Sequence, residues 1–223
     1  MKLLYLGHSC FLLRAENGTR IVIDPFTGIG YEMPRVAADF TVCTHGHYDH
    51  AYTAGVDCPR PAVTGAGEYA LGGVRAEGVP SYHDEVHGAK RGKNTVFLFE
   101  TDGARVCHMG DIGQPCTEEF VKKLGKVDVL LLPVGGTYTV DAKGAMEYVR
   151  ALSPKITVPM HYAQGGNIDI APPDAFLALA EKEGYRCSSC EELDTREASA
   201  CKGGEVRIME RYDGKRTEDS GRL

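Results

Sequence analysis

The chain has no tryptophan, only 8% aromatic residues and no surplus of basic side chains. With 25 Lys+Arg against 31 Asp+Glu, the formal net charge is −6. A sequence-independent grip on nucleic acid or on an anionic membrane surface is therefore not expected. No apolar run approaches the roughly 18 residues that signal a membrane-spanning helix. The N-terminus, MKLLYLGHSC, lacks a signal-peptide core, because Gly7 and His8 interrupt its apolar stretch. These absences predict a cytoplasmic protein with no membrane part. Cysteine, by contrast, is plentiful: eight stand at 10, 43, 58, 107, 116, 187, 190 and 201, mostly inside apolar segments. Without an export signal they read as reduced, buried thiols. Cys187 and Cys190, with Cys201 further on, fall one ligand short of a zinc knuckle and are read as packing residues.

What is present describes a folded domain. In 223 residues, 43% are hydrophobic and 25% charged, close to the globular average, which excludes disordered and fibrous classes. Strand signals fill the first half, at 2–6, 10–15, 19–23, 39–44, 95–100 and 105–109. Asn17-Gly18 and Asp102-Gly103 mark tight turns between neighbouring strands. Further strands are expected at 127–132, 155–160 and 206–210. Helices are expected at 118–124 behind Thr117, at 142–152 behind Asp141, and from Pro172-Pro173-Asp174 to 183. Strands with helices interleaved in the second half predict an α/β layered sandwich.

The chemistry concentrates in Thr44-His45-Gly46-His47-Tyr48-Asp49-His50, directly after the apolar run DFTVC. In extended chain, residues two apart face the same way, so His45 and His47 are placed to chelate one ion. A turn beyond them lets Asp49 and His50 address a second ion. Imidazole and carboxylate suit zinc, and also iron or manganese. His8, His83, Asp111 and His161 each stand at the end of an expected strand, where sites in sheet proteins collect.

His45-x-His47-x-Asp49-His50, followed in order by His83, Asp111 and His161, resembles the metallo-β-lactamase superfamily. The nearer likeness is to its branch of metal-dependent hydrolases related to ascorbate-6-phosphate lactonase. LGHSCFLL, IDPF, THGHYDH, TGAGEY, SYHDEVHGAKRGKNTVFLFE, HMGDIG, LLLPVGGTYTVDAKGA and PMHY carry that likeness over residues 6–162. The resemblance implies a four-layer αββα sandwich; with no linker or repeat in the chain, residues 1–212 are expected to form that one hydrolase domain, and the polar stretch 213–223 a tail. The resemblance also implies two divalent metal ions, zinc foremost, with His45, His47 and His83 on the first. Asp49, His50 and His161 would hold the second, and Asp111 would bridge them.

The expected reaction is hydrolysis of an ester, lactone or phosphodiester by metal-activated water, with Asp49, Asp111 and His8 as the catalytic candidates. Asp24, Asp84 and His108 are candidates for orienting ligand imidazoles, and His87 reads as a solvated surplus. Arg91, with Lys90 and Lys93 beside it, is the candidate for holding a phosphate. Asn94 and Tyr138 are candidate oxyanion donors. The expected partner is a small-molecule substrate, phosphorylated in one version, and a homo-oligomer fits the branch. A di-iron redox protein and a non-catalytic metal binder on the same scaffold are the alternatives. His47 stands where the di-iron oxidoreductases carry Glu, and the chain has no room for their flavin domain.

Overall fold

Apolar side chains alternate along the N-terminal strands, so each strand feeds two cores at once. Leu3, Tyr5, Phe11, Leu13, Ile21 and Ile23 enter one core, and Leu6, Cys10, Leu12 and Val22 enter another on the opposite face. The computed structural model describes residues 1–201 and 204–214. Its first sheet runs in the order Glu192–Asp194, Lys2–Gly7, Cys10–Arg14, Arg20–Ile23, Phe40–Cys43, Val63–Thr64. The second runs Arg186–Cys190, Glu205–Met209, Ile156–Met160, Val129–Pro133, Ala104–His108, Lys93–Thr101, Val74–Tyr82, Gly67–Leu71. The two sheets face each other across the shared core of Phe11, Phe97, Phe99, Leu131, Val158 and their neighbours.

The strands Ala104–His108, Val129–Pro133 and Ile156–Met160 are parallel, so their C-terminal ends all reach the same edge. Parallel strands need crossovers, and helices Glu118–Leu124 and Ala142–Leu152 supply them. Thr117 caps the first by accepting from the Phe120 N–H, and Asp141 caps the second by accepting from Lys143 and Gly144. Helix Asp174–Lys182 packs beside Ala142–Leu152, and all three cover the outer face of the eight-stranded sheet through Phe120, Met146, Tyr148, Val149 and Phe176.

The protein is thus an α/β sandwich, with one departure from the four regular layers expected. Among the described residues, the outer face of the six-stranded sheet is covered by an irregular segment bearing Phe26, Ile29, Ala38 and Val56. Glycine and proline at Pro25, Gly28, Gly30 and Pro34 deny that segment a helix.

The strand at 186–190 and the hairpin of Gly67–Leu71 with Val74–Tyr82 were not expected from sequence. Within 186–190, Cys187 packs toward the helices and Cys190 toward the inter-sheet core, because residues three apart on a strand face opposite ways. This separates the pair and rules out a shared knuckle; all eight cysteines are free. Of the expected polar tail, residues 215–223 lie outside the described residues. No helix among the described residues is long and apolar enough to cross a membrane.

Candidate active site

Every expected ligand follows a strand that ends at the same edge. His8 sits in the turn after Lys2–Gly7, and residues 45–50 follow Phe40–Cys43. His83 follows Val74–Tyr82, Asp111 follows Ala104–His108, and His161 follows Ile156–Met160. The backbone is bent hard to aim them. His8, Asp24 and His161 take left-handed conformations, with φ of 53°, 51° and 51°. Non-glycine residues adopt that region rarely and at a cost, and such strain gathers at functional sites.

Their side chains converge. His45, His47 and His83 bring nitrogen donors within 4.8 Å of one another, and so do His8, Asp49, His50 and His161 with their nitrogen and carboxylate donors. Asp111 stands between the two clusters. Its Oδ2 lies 3.1 Å from Nε2 of His83 and 3.1 Å from Nε2 of His161, and its Oδ1 lies 3.2 Å from Nε2 of His50. Only Gly fits beside it at position 110, where a Cβ would come within 2.4 Å of Asn94 Oδ1 and 2.8 Å of Thr44 Cβ.

Two imidazoles are held so that Nε2 faces inward. His50 donates its Nδ1–H to Asp24 at 2.9 Å, and His83 donates to the Tyr138 carbonyl at 3.0 Å. Asp24 also accepts from the Thr44 N–H and hydroxyl, at 2.8 and 2.7 Å, and so ties the start of the His45–His50 loop to its end.

The charges are strongly coupled. Burial works against charge on Asp111, yet His161 and His50 hold its carboxyl well below the usual carboxylate range. Burial likewise opposes charge on His50, and Asp111 and Asp24 outweigh it, raising that imidazole well above its ordinary value. Burial and neighbouring His50 push His45 down to about 3, while burial and His161 push His8 down to about 4. These last two are unprotonated at neutral pH, the form that binds metal.

Among the described residues, the buried polar atoms that lack a well-formed hydrogen bond include His45 Nε2, His50 Nε2 and Asp111 Oδ1 in this site, the last two 3.2 Å apart. Leaving such atoms unpaired is costly. The same three residues bring ligand atoms within 4.8 Å of one another, and a cation among them would satisfy those atoms. The donor set of nitrogens and carboxylates therefore fits a bound divalent metal.

The supporting residues differ in part from the sequence reading. Asp24 does hold an imidazole of the cluster, that of His50. His108 instead bonds the Ser9 carbonyl at 2.8 Å and accepts from the Gly110 N–H at 3.1 Å, fixing the His8 and Asp111 turns. Asp84 does not touch the His83 ring. It accepts backbone N–H groups from Val86, Gly88, Lys90 and Arg91, which hold its carboxyl down to about 2 against the opposing effect of burial. Asn94 is not free to serve a substrate. Its Nδ2 donates to Ser81 and Met109, and its Oδ1 accepts from the Asp111 N–H at 3.0 Å. His87 is exposed and packs edge-on against Tyr82.

A cavity of about 610 Å³ opens over the clusters, lined by His47, Asp49, His83, Asp111 and His161 together with Lys90, Arg91 and Tyr138. Lys93 lines a separate groove on the far side of His45. Arg91 donates to the Thr137 carbonyl at 3.0 Å, and its guanidinium lies 5.5 Å from the Tyr138 ring centre. The sequence reading missed Tyr48, Asn167 and Asp169, which also line the cavity. Tyr48 stood in plain view inside the histidine motif. Its 60% exposure, the highest among the large apolar side chains, marks it as a wall of the mouth rather than core.

An α/β sandwich carrying an imidazole-rich cluster at converging strand ends defines a metallo-β-lactamase-type protein. The chain belongs to the beta-lactamase superfamily, whose domain model matches residues 2–161, and within it to the UPF0173 metal-dependent hydrolases. A UPF0173 metal-dependent hydrolase of Methanosphaerula palustris is 32% identical, with 82% of this chain and 92% of that protein covered. A metallo-β-lactamase superfamily structure from Thermotoga maritima is 36% identical with a TM-score of 0.75, covering 93% of this chain and 97% of its own. The metallo hydrolase Igni18 of Ignicoccus hospitalis is 25% identical with a TM-score of 0.68, covering 94% and 95%.

Proposed function

We propose that this protein is a dinuclear metal hydrolase that cleaves an ester, lactone or phosphodiester bond in a small anionic molecule. The observation that carries the reading is the convergence of five histidines and two aspartates, among which buried His45 Nε2, His50 Nε2 and Asp111 Oδ1 lack a well-formed hydrogen bond. His45, His47 and His83 would hold one ion, and Asp49, His50 and His161 the other, with Asp111 shared. Zinc suits these donors best, with manganese and iron as alternatives. When bound, such ions bring the pKa of water from about 15.7 to about 7 and so supply a nucleophile at neutral pH.

The chain's own residues do the rest. Asp24 and the Tyr138 carbonyl keep His50 and His83 in the tautomer that faces inward. Asp49 lies 3.2 Å from His8 Nε2, on the cavity side, where a carboxylate can orient a water molecule. Arg91 has a neutral carbonyl and an aromatic face as its partners among the described residues, so its charge is available to a phosphate or carboxylate on the substrate. Tyr48 and Tyr138 flank the mouth as apolar walls. The resemblance to ascorbate-6-phosphate lactonase favours a lactone or phosphosugar. Eight free thiols fit a reducing cytoplasm, and a homo-oligomer is consistent with the branch.

The test is metal content together with turnover of bis(4-nitrophenyl) phosphate and a panel of lactones and their phosphorylated forms. Two equivalents of metal and cleavage that chelation abolishes are expected. Two bound equivalents with no cleavage of any ester, lactone or phosphodiester would leave a metal-binding protein, not a hydrolase.

A further inference from the structure

We infer that His8 is itself a metal ligand, making the second site richer than the first by one donor. The inference rests on the dinuclear reading above and concerns a residue outside the seven ligands assigned there. His8 belongs to the same cluster of mutually close donor atoms as Asp49, His50 and His161. Its Nε2 lies 3.2 Å from Asp49 Oδ2. Two donors adjacent on one ion, each about 2.1 Å from it, stand about 3 Å apart, so this spacing suits a shared ion. The His8 ring centre is 4.3 Å from that of His161 and 5.0 Å from that of His50, so all three rings face one small volume.

The backbone at His8 is built to hold that aim. Its N–H donates to the Tyr31 hydroxyl at 3.0 Å, and its carbonyl accepts from Tyr5 Oη at 2.9 Å and from the His161 N–H at 2.8 Å. Gln164 Oε1, 3.0 Å from the Tyr5 oxygen, shares that hydroxyl's single proton with the His8 carbonyl, and Gln164 Nε2 donates to Tyr162 Oη at 3.2 Å. A left-handed histidine that is 1% exposed and fastened at both peptide groups is over-determined by its surroundings.

The two sites are then unequal. Three imidazoles plus the shared Asp111 make a four-donor set, the number zinc prefers. Three imidazoles, Asp49 and the shared Asp111 make five. That set favours an ion at ease with more than four ligands, such as manganese(II) or iron(II).

The experiment loads metal-free protein with one equivalent of zinc and then one of manganese(II). Imidazole nitrogens on the manganese are counted by electron spin-echo envelope modulation, and its affinity is measured by competition. Three imidazoles are expected in the wild type and two in His8→Gly, with manganese affinity at least about tenfold weaker and zinc affinity unchanged. Glycine accepts the left-handed backbone, and His8→Asn, which also tolerates it, serves as the second variant. Two imidazoles in the wild type, or an unchanged count in both variants, would make His8 a hydrogen-bond donor to Asp49 and overturn the inference. A wild type that retains fewer than two ions overturns the dinuclear reading, and this inference with it.

Discussion

The strand Ala104–His108 carries an aspartate beyond each end, and the two live under opposite conditions. Asp102, in the turn before the strand, is paired with the N-terminal amine at 3.0 Å and accepts the Glu16 N–H at 3.0 Å. Asp111, after the strand, faces His45, His50, His83 and His161 and has one oxygen without a well-formed hydrogen bond. At one end of the sandwich the polar groups satisfy each other and hold the fold. At the other end they are packed together unsatisfied and await something from outside.

Four substitutions test that contrast, from the largest effect to the smallest. Asp111→Ala should lower metal content at both positions and abolish turnover; a variant that keeps two ions by elemental analysis would refute the shared carboxylate. Gly110→Ala should cost about tenfold to a hundredfold in kcat, because the new methyl group displaces Asn94 or Thr44 and with them Asp111. Asp24→Asn should weaken metal binding by about tenfold to a hundredfold, since His50 loses the carboxylate that fixes its tautomer. Asp102→Ala should leave kcat and metal content unchanged while unfolding measurements show a loss of about 1–2 kcal/mol. Its pH dependence has a definite sign. The Asp102 carboxyl is depressed in the folded state: burial opposes this, and the Glu16 N–H and the N-terminal amine prevail. The stability it contributes is full above the ordinary carboxylate pKa of about 4 and is lost as the pH falls through the lower folded value. The gap between wild type and Asp102→Ala should therefore close in acid, and a gap that widened would show the pairing to be misread.

The legibility of the sequence followed the same divide. Residues 45–50 stand out in the sequence because imidazole and carboxylate crowd six positions, whereas His83, Asp111 and His161 are legible only through the family resemblance; the structure brings all of them to one edge. The parallel strands at 129–133 and 156–160 were equally plain, since burial on both faces leaves unbroken apolar runs. The hairpin at 67–82 was opaque: glycines, glutamates and Pro80 along it mimic loop chemistry, and only its pairing with Lys93–Thr101 makes it strand. Asn94, His108 and Asp84 were read as site chemistry because they neighbour it in sequence. Their roles depend on which backbone groups fold against them, and no local pattern encodes that.

The clamp on His8 reaches further than a single imidazole. His8 follows a strand of one sheet and His161 a strand of the other, and the 2.8 Å hydrogen bond from the His161 N–H to the His8 carbonyl links the two sheets at the rim that carries the histidines. A displacement of either turn is thereby passed directly to the other, so the histidines on the two rims hold their spacing together.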